Sequence, residues 1–424
     1  MVAQQTALSK AMPSLFLSRF FSQNLFNKNK GALVSILDLQ TIDATFLSRI
    51  CDEKWPENST LDFKRQLPTS SGKDKHEFLK DVCSLANSGG GNILFGISEK
   101  DGCADLLFPI SSEISDAAKR RLGQIVDAGI EPRLVGLNLQ HIDVTGGYIL
   151  VANVPPQFGG PYRMQLEGKS AFYMRNNTHS VELTYQQLRL AFGNASALQQ
   201  RATSFRADRI TALSRGKTLR PMVSGPLAVL HVIPLQGLAS DTGIDMKSVA
   251  SNAANLMSSS WGGGTHNYNL DGLLISVTSR GDTSDALGAY NQIYRSGCCE
   301  AVRFAGSFGE GYEEYMPSTL IGDFFREYIS KFLRLLHEQE IAGPVVIGAA
   351  LLNTEGKRFG TGGFLAVHPK SDRPDLILNE ILLESPQQIP VDIIARPMLD
   401  VLWQAFGFEQ CLDYDAVGQW SPRR

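Results

Sequence analysis

The chain has 424 residues, 43% of them hydrophobic, and its 40 Lys and Arg against 43 Asp and Glu leave a net charge of -3. That length builds two or three domains with cores of their own, and the charge balance excludes a globally basic nucleic-acid coat, so any phosphate contact has to come from local clusters. No apolar run approaches the ~18 residues of a membrane span, and six cysteines with no C-x-x-C pair exclude a zinc framework or a disulfide scaffold and point to a reducing, cytoplasmic setting.

The first 37 residues hold no Asp or Glu but do hold Lys10, Arg19, Lys28 and Lys30. Their composition resembles an organelle transit peptide, and the plainer reading is a disordered extension, residues 1–37, outside the fold. "TIDATFLSRICDEKW" then reads as a helix, capped by Thr41 or Asp43, with Phe46, Leu47, Ile50 and Cys51 on one face. "STLDFKRQ" alternates as a strand with one buried face: Leu61 and Phe63 point one way, Thr60, Asp62 and Lys64 the other.

"KDKHEFLKDVCSLANS" is an amphipathic helix stopped by the glycines at 89–91, and "NILFGISEKDG" is a nearly continuous apolar strand ending near Glu99. A helix over "SDAAKRRLGQIVDAG" follows. Two strands come next, "RLVGLNLQHID" and "GYILVANVP", then a proline loop, a short strand "SAFYMRNN" and a helix "TYQQLRLAFGNASALQQ". Residues 38–200 therefore read as one α/β (α+β) domain with a mixed sheet.

Residues 201–224 read as a polar, basic linker, with Arg201, Arg206, Arg209, Arg215, Lys217 and Arg220 against a single acid, Asp208. Residues 225–424 read as a second α+β domain, mostly antiparallel. "LAVLHVIPL", "DGLLISVTS", "AVRFAG", "GPVVIGAALL" and "DLILNEILLES" are its strands; "IGDFFREYISKFLRLLHEQE" and "ARPMLDVLWQAFGF" are its helices. "SSSWGGGTHNYNLDG" reads as a long Gly/Ser loop, and Cys298 and Cys299 as buried small residues. A sensor role for this half is an architectural expectation. Residues 214–218, "SRGKT", have Thr211 where a P-loop needs its first glycine and no strand before them, so no P-loop ATP site is expected.

Within "ENSTLDFK", Asp62 and Lys64 project from the same side of a strand, and Glu57 can swing toward them from the preceding loop. Metal-assisted phosphodiester hydrolysis needs Mg²⁺ or Mn²⁺ held by carboxylates, with a cation on the phosphate or the attacking water. Glu57 and Asp62 supply two acids and Lys64 the cation; Glu99 is the first choice for a third acid and Asp101 the second. The plainer reading is a solvated strand edge with a weak surface ion pair.

"ENSTLDFK", a spacer and "SLANSGGGNILFGISEKDG", followed by "GGPYRM" and "FYMRNNT", resemble the Schlafen AlbA-type domain over roughly residues 40–195. The resemblance implies a nucleic-acid-binding module, and in its nuclease-active members a metal held by three carboxylates that cuts tRNA and rRNA. By position these are Glu57, Asp62 and Glu99. The sequence departs from the family in having Asp at 62 where Glu is usual, and Ser98-Glu99 where the turn is often Asp-Asp; both changes keep an acid and alter its reach. Arg175, matching the family's Tyr-x-Arg, is expected on a phosphate, with Tyr173 for stacking and Arg65 and Arg163 as further backbone contacts. Lys119, Arg120 and Arg121 read as a solvated helix face.

The leading expectation is thus a metal-dependent endoribonuclease of bacterial type, in phage defence or stress response. A non-catalytic DNA-binding transcriptional regulator and a partner-binding scaffold are the alternatives. RNA or DNA is the expected partner, a membrane is not, and self-association is left open.

Overall fold

In a computed structural model, the described residues are 42–239, 243–278, 286–308, 311–341, 343–361, 369–384, 386 and 389–422. The 1–37 extension lies outside them.

The first unit opens with α1 (Ala44–Asp52), whose N-terminus is capped by the Asp43 carboxylate accepting from the Phe46 N–H. The cap contributes about 1 kcal/mol. Fully burying Leu47 and Ile50 contributes ~1.5–3 kcal/mol each, so packing outweighs the cap in holding α1 in place. Strand β1 (Leu61–Lys64), helix α2 (Gly72–Ala86) and strand β2 (Gly91–Phe95) follow. The hairpin β3 (Ile97–Lys100) and β4 (Cys103–Leu107), helix α3 (Ser115–Gly129) and the short β5 (Ile130–Glu131) come next. Strands β6 (Asn138–Val144), β7 (Gly147–Val154), β8 (Arg163–Leu166), β9 (Lys169–Ala171), β10 (Tyr173–Asn176) and β11 (His179–Glu182) complete the unit.

The main sheet runs β1-β2-β7-β6, parallel between β1 and β2 and antiparallel elsewhere. This is the mixed sheet expected. One face packs against α2 and α3 through Phe78, Val82, Ile93, Phe95 and Leu122; the other packs against α1 through Leu47, Ile50, Phe63 and Leu94. With both faces covered, Asp62 is buried, and only Lys64 at the end of β1 keeps partial exposure. This overturns the one-faced strand.

The expected continuous strand over "NILFGISEKDG" is broken at Gly96, where φ is +98°, and β3 leaves the sheet to pair with β4. The exit from α2 into β2 needs glycine for lack of room. A Cβ on Gly90 would lie 2.6 Å from the Val154 carbonyl oxygen, and one on Gly91 2.6 Å from that of Thr60.

Helix α4 (Tyr185–Ser214) runs straight through most of the stretch expected to be a linker, and starts with a capping box between Thr184 and Gln187. The second unit is built on an antiparallel sheet. Its strands are β12 (Leu227–Pro234), β13 (Thr265–Tyr268), β14 (Gly272–Thr278), β15 (Leu287–Tyr294), β16 (Cys299–Phe304), β18 (Val345–Leu352), β20 (Asp375–Ile377) and β21 (Ile381–Leu383). Their order is β13-β14-β15-β16-β12-β18-β20, with β21 also on β18. The expected Gly/Ser loop thus contains the edge strand β13.

A parallel pair, β17 (Tyr315–Pro317) and β19 (Arg358–Gly360), lies off the sheet. Helices α5 (Ser318–Glu338) and α6 (Val391–Gln404) cover one face through Phe324, Phe325, Tyr328, Phe332 and Trp403. The C-terminal half of α4 covers the other, with Ala202, Ile210 and Leu213 buried. Cys298 and Cys299 are buried. Among the described residues no helix is long and apolar enough to cross a membrane.

Candidate nucleic-acid interface

Strand β1 is an edge strand. The Thr60 carbonyl just before it and its Lys64 carbonyl accept from the Asn92 and Gly96 N–H groups at 2.8 and 2.7 Å, so the Phe63 N–H points away from β2. Glu57 Oε1 accepts from that N–H at 2.8 Å and closes the exposed edge. The Glu57 N–H in turn donates to the Gly102 carbonyl at 2.8 Å, tying this loop to the β3–β4 hairpin. Burial pushes the Glu57 carboxyl pKa up; the Phe63 N–H opposes this, and the charges of Asp62 and Glu99 add to the rise while Lys64 offsets part of it.

Asp62, 3% exposed, is held between two cations. Its Oδ2 lies 2.6 Å from Lys64 Nζ, the i+2 pairing expected from the strand, and its Oδ1 lies 2.9 Å from Arg175 Nη2. Lys64 Nζ also reaches Asp81 Oδ2 at 3.3 Å. Burial works against the lysine charge, but Asp81 and Asp62 outweigh it and hold the ammonium pKa above its ordinary value. Asp81 accepts from Ser180 Oγ at 3.1 Å, and burial followed by the neighbouring Asp62 charge pushes its carboxyl pKa up. Two acids and two cations thus form an internally neutral network between β1, α2 and the β10–β11 hairpin.

Arg175 does not take the position expected of a phosphate ligand. Its side chain is 2% exposed, its Nη1 donates to the Thr178 carbonyl at 2.7 Å, and its backbone N–H donates to Ser88 Oγ at 2.8 Å. It is an internal partner of Asp62, a buried charge that Lys64 would otherwise compensate alone. Arg163 is paired with Glu131 at 2.5 Å, directly across the β5–β8 register. Tyr173 sits edge-on to His76, ring centroids 6.4 Å apart, and its carbonyl accepts from Asn87. Glu99 is exposed, and its carboxylate accepts from the Gly102 N–H at 2.8 Å in its own turn. Lys119 and Arg121 pair with Asp116 and Glu113, and Arg120 is exposed.

Arg65 is different. It is exposed, forms no ion pair among the described residues, and stacks its guanidinium 3.9 Å above the ring of Phe108. Phe108 is itself 37% exposed, beside Leu106 at 58%.

Among the described residues no group of three His, Cys, Asp or Glu side chains converges as a metal ligand set. As arranged, Asp62 is occupied by Lys64 and Arg175, Glu57 by a backbone N–H and Glu99 by another. These residues do not, in this arrangement, fit a divalent ion.

Asp81 and Phe108 were not singled out in the sequence. For Asp81 a signal exists: Asp81 and Ser84 are polar positions at i and i+3 in the apolar second half of α2, and Ser88 follows in the turn after it. All three meet the β10–β11 hairpin: Asp81 and Ser84 meet Ser180, and Ser88 meets Arg175. Phe108 sits in an apolar run, "LLFPI", where nothing marks it as exposed.

A mixed sheet entered through a glycine-lined helix exit, with an acid and a lysine on its edge strand, is an α/β module of the kind the motifs anticipate. Residues 57–184 match the family described as Schlafen, AlbA_2, and this segment of the chain is a Schlafen AlbA_2 domain. Such a domain ties the chain to nucleic-acid-related function. No curated protein matches the chain. Among the solved structures similar to it are the following two. The DIP2311 protein from Corynebacterium diphtheriae is 17% identical, over 30% of this chain and 22% of that one, with a TM-score of 0.23. The N-terminal domain of an ATP-dependent DNA helicase RecG-related protein from Nitrosomonas europaea is 20% identical, over 32% of this chain and 89% of that one, with a TM-score of 0.25. The chain spans about a fifth of the length of the first, and likeness at this level says nothing about activity.

Proposed function

We propose that the domain at 57–184 binds single-stranded or looped nucleic acid at the corner formed by Lys64, Arg65 and Phe108. The observation that carries this reading is the exposed Arg65 guanidinium lying 3.9 Å over the half-exposed Phe108 ring, with no acid taking its charge among the described residues. A cation meets the backbone phosphate, and an aromatic face or a guanidinium plane takes an unstacked base. Lys64 precedes Arg65 in the chain, with its own charge balanced by Asp62 and Asp81. Fluorescence anisotropy with a labelled single-stranded RNA, a DNA of the same sequence and a duplex tests this. Arg65→Ala and Phe108→Ala are expected to weaken single-strand binding roughly 5- to 100-fold and duplex binding less. Variants that bind like the parent would remove the corner from the interface.

A second reading, cleavage of tRNA-like RNA with Mg²⁺ or Mn²⁺ held by Glu57, Asp62 and Glu99 and Lys64 beside the phosphate, is favoured by one observation. The Glu57 carboxylate caps the Phe63 N–H next to Asp62, and its own N–H ties this loop to the hairpin that carries Glu99, so the three acids stand on linked elements. It requires Asp62 to exchange Arg175 for the ion. Incubation of a labelled tRNA pool with Mn²⁺, Mg²⁺ or EDTA decides it, beside Glu99→Gln, an exposed change that leaves the core intact. Cutting lost in EDTA and in the variant supports an endoribonuclease, suited to phage defence or stress response. Absence of cutting with any metal leaves a binding module, suited to DNA-binding regulation.

A further inference from the structure

The turn that ends α4 carries positive charge that the fold leaves unanswered. From Arg209 to Ser240 the sequence has no Asp or Glu. Within that stretch Arg215, Lys217 and Arg220 are exposed, and none of their side chains forms an ion pair or hydrogen bond among the described residues. The cations of the preceding turns are all engaged: Arg201 donates to the Leu238 carbonyl at 3.2 Å, Arg206 meets Glu380 and Arg209 meets Glu300. Asp375 meets Ser214, the last residue of α4, but its carboxylate is taken by the Ser214 hydroxyl at 2.6 Å and the Asn353 N–H at 3.0 Å.

The turn is held from within. Gly216 takes a left-handed φ of +73°, and its N–H and that of Lys217 return to the Leu213 and Ala212 carbonyls at 2.9 and 2.8 Å, closing the helix end. Leu219 and Met222 pack on the cluster of Ile210, Leu213 and Leu227. The Thr218 hydroxyl donates to the Arg220 carbonyl at 2.7 Å, and the Pro221 carbonyl accepts from the Leu287 N–H at 2.8 Å. The apolar side chains therefore turn inward while the anchored backbone presents three cations within six residues. A helix C-terminus attracts cations in its last turn, which accounts for Arg215 and Lys217 but not for Arg220 beyond the cap.

Three anchored cations without a counter-charge fit a polyanion. The exposed residues of the turn, 215–217, 220 and 221, include no large apolar side chain to insert into a bilayer, and basic charge without such an anchor holds a membrane weakly. The same chain carries a Schlafen AlbA_2 domain, tied to nucleic-acid-related function. We propose that the turn is a second nucleic-acid contact, in which Arg215, Lys217 and Arg220 bind the phosphate backbone irrespective of sequence. Residues 214–222 contain no aromatic ring to take a base, so the turn accepts a duplex as readily as a single strand. It acts independently of the Arg65 corner.

Anisotropy titrations of the full chain against a labelled duplex DNA and a labelled single-stranded RNA, at stepped salt, test this. The combined variant Arg215→Ala, Lys217→Ala, Arg220→Ala is expected to bind both more weakly at every salt concentration. Its slope of log affinity against log salt is expected to be shallower by about 2 on the single strand and about 2.7 on the duplex, for three phosphate contacts removed. Arg334→Ala, at an exposed α5 cation with no ion pair among the described residues, is expected to keep the parent's slope. Circular dichroism melting checks that each variant folds; should the combined one not, Arg220→Ala alone is expected to lower the single-strand slope by about 0.7. A folded combined variant with the parent's affinity and slope overturns the proposal, and so does an equal effect per charge from Arg334→Ala. A parent that binds anionic vesicles and neither oligonucleotide overturns it in favour of a membrane contact. Weakened binding in the combined variant beside parental binding in Arg65→Ala supports the turn while removing the corner.

Discussion

Asp62 and Glu300 are both buried carboxylates, and each is compensated by residues distant in sequence. Removing Arg175 leaves Asp62 buried against Lys64 alone, and breaking a buried pair costs about 3–5 kcal/mol. Arg175→Met is therefore expected to lower unfolding stability by that amount in urea titration, and adding Asp62→Asn is expected to recover part of it. Glu300 is fully buried under α4. Its Oε2 lies 2.8 Å from Arg209 Nε and 3.0 Å from His231 Nε2, and its Oε1 accepts from Arg209 Nη2 and the Tyr290 hydroxyl at 2.9 Å each. Burial alone would raise its pKa; the hydrogen bonds from His231 and Arg209 outweigh burial and bring it from the ordinary 4.5 down to about 2. A depressed carboxylate contributes stability that is complete above its unfolded pKa and is lost as pH falls through the folded one. The contribution is on the order of 3 kcal/mol, lost between pH ~4.5 and ~2. Urea titration at stepped pH is expected to show this loss, and Glu300→Gln to remove that part of the slope. The sequence gives Asp62 and Lys64 as a pair because they are two residues apart on a strand. It hides Arg175, Asp81 and the Glu300 cluster as partners, because only tertiary folding brings them together, and a lone arginine reads as solvent-facing.

At the scale of elements, α4 shows why 201–214 looked like a linker. Its arginines fall among polar residues with a single nearby acid, so nothing local marks a buried face. Their partners lie on the second unit's sheet: Arg206 meets Glu380 and the Ala349 and Leu378 carbonyls, Arg209 meets Glu300, and Ser214 meets Asp375. The helix docks through these polar contacts and through Ala202, Ile210 and Leu213. The docking also depends on a missing side chain, because a Cβ on Gly348 would overlap the Arg206 guanidinium. Gly348→Ala, often favourable in a strand, is here expected to destabilise by ~1–3 kcal/mol, read as a lower urea midpoint. Elements with strong periodicity were legible: α1, α2, α3, α5 and the apolar strands β12, β14 and β18 all fall where the apolar pattern predicts. The break at Gly96 was not, because a glycine inside an apolar run marks a bend only when its positive φ is known.

At the scale of the whole molecule, a Schlafen AlbA_2 domain is joined by one long helix to an α-covered antiparallel sheet. Net charge gives no general attraction for nucleic acid, so binding has to arise from a few placed cations. Of the four nucleic-acid contacts expected from sequence, Arg175 is internal, Arg163 is paired with Glu131, Tyr173 packs by His76, and Arg65 stands exposed over Phe108. The most direct test is the salt dependence of binding to a labelled single-stranded RNA, measured by anisotropy with the intact chain and with Arg65→Ala. The account predicts a log affinity that falls linearly with log salt, a shallower slope in Arg65→Ala by about 0.7 for the phosphate contact removed, and weaker binding at every salt concentration. Binding that is absent, or insensitive both to salt and to Arg65→Ala, would contradict it.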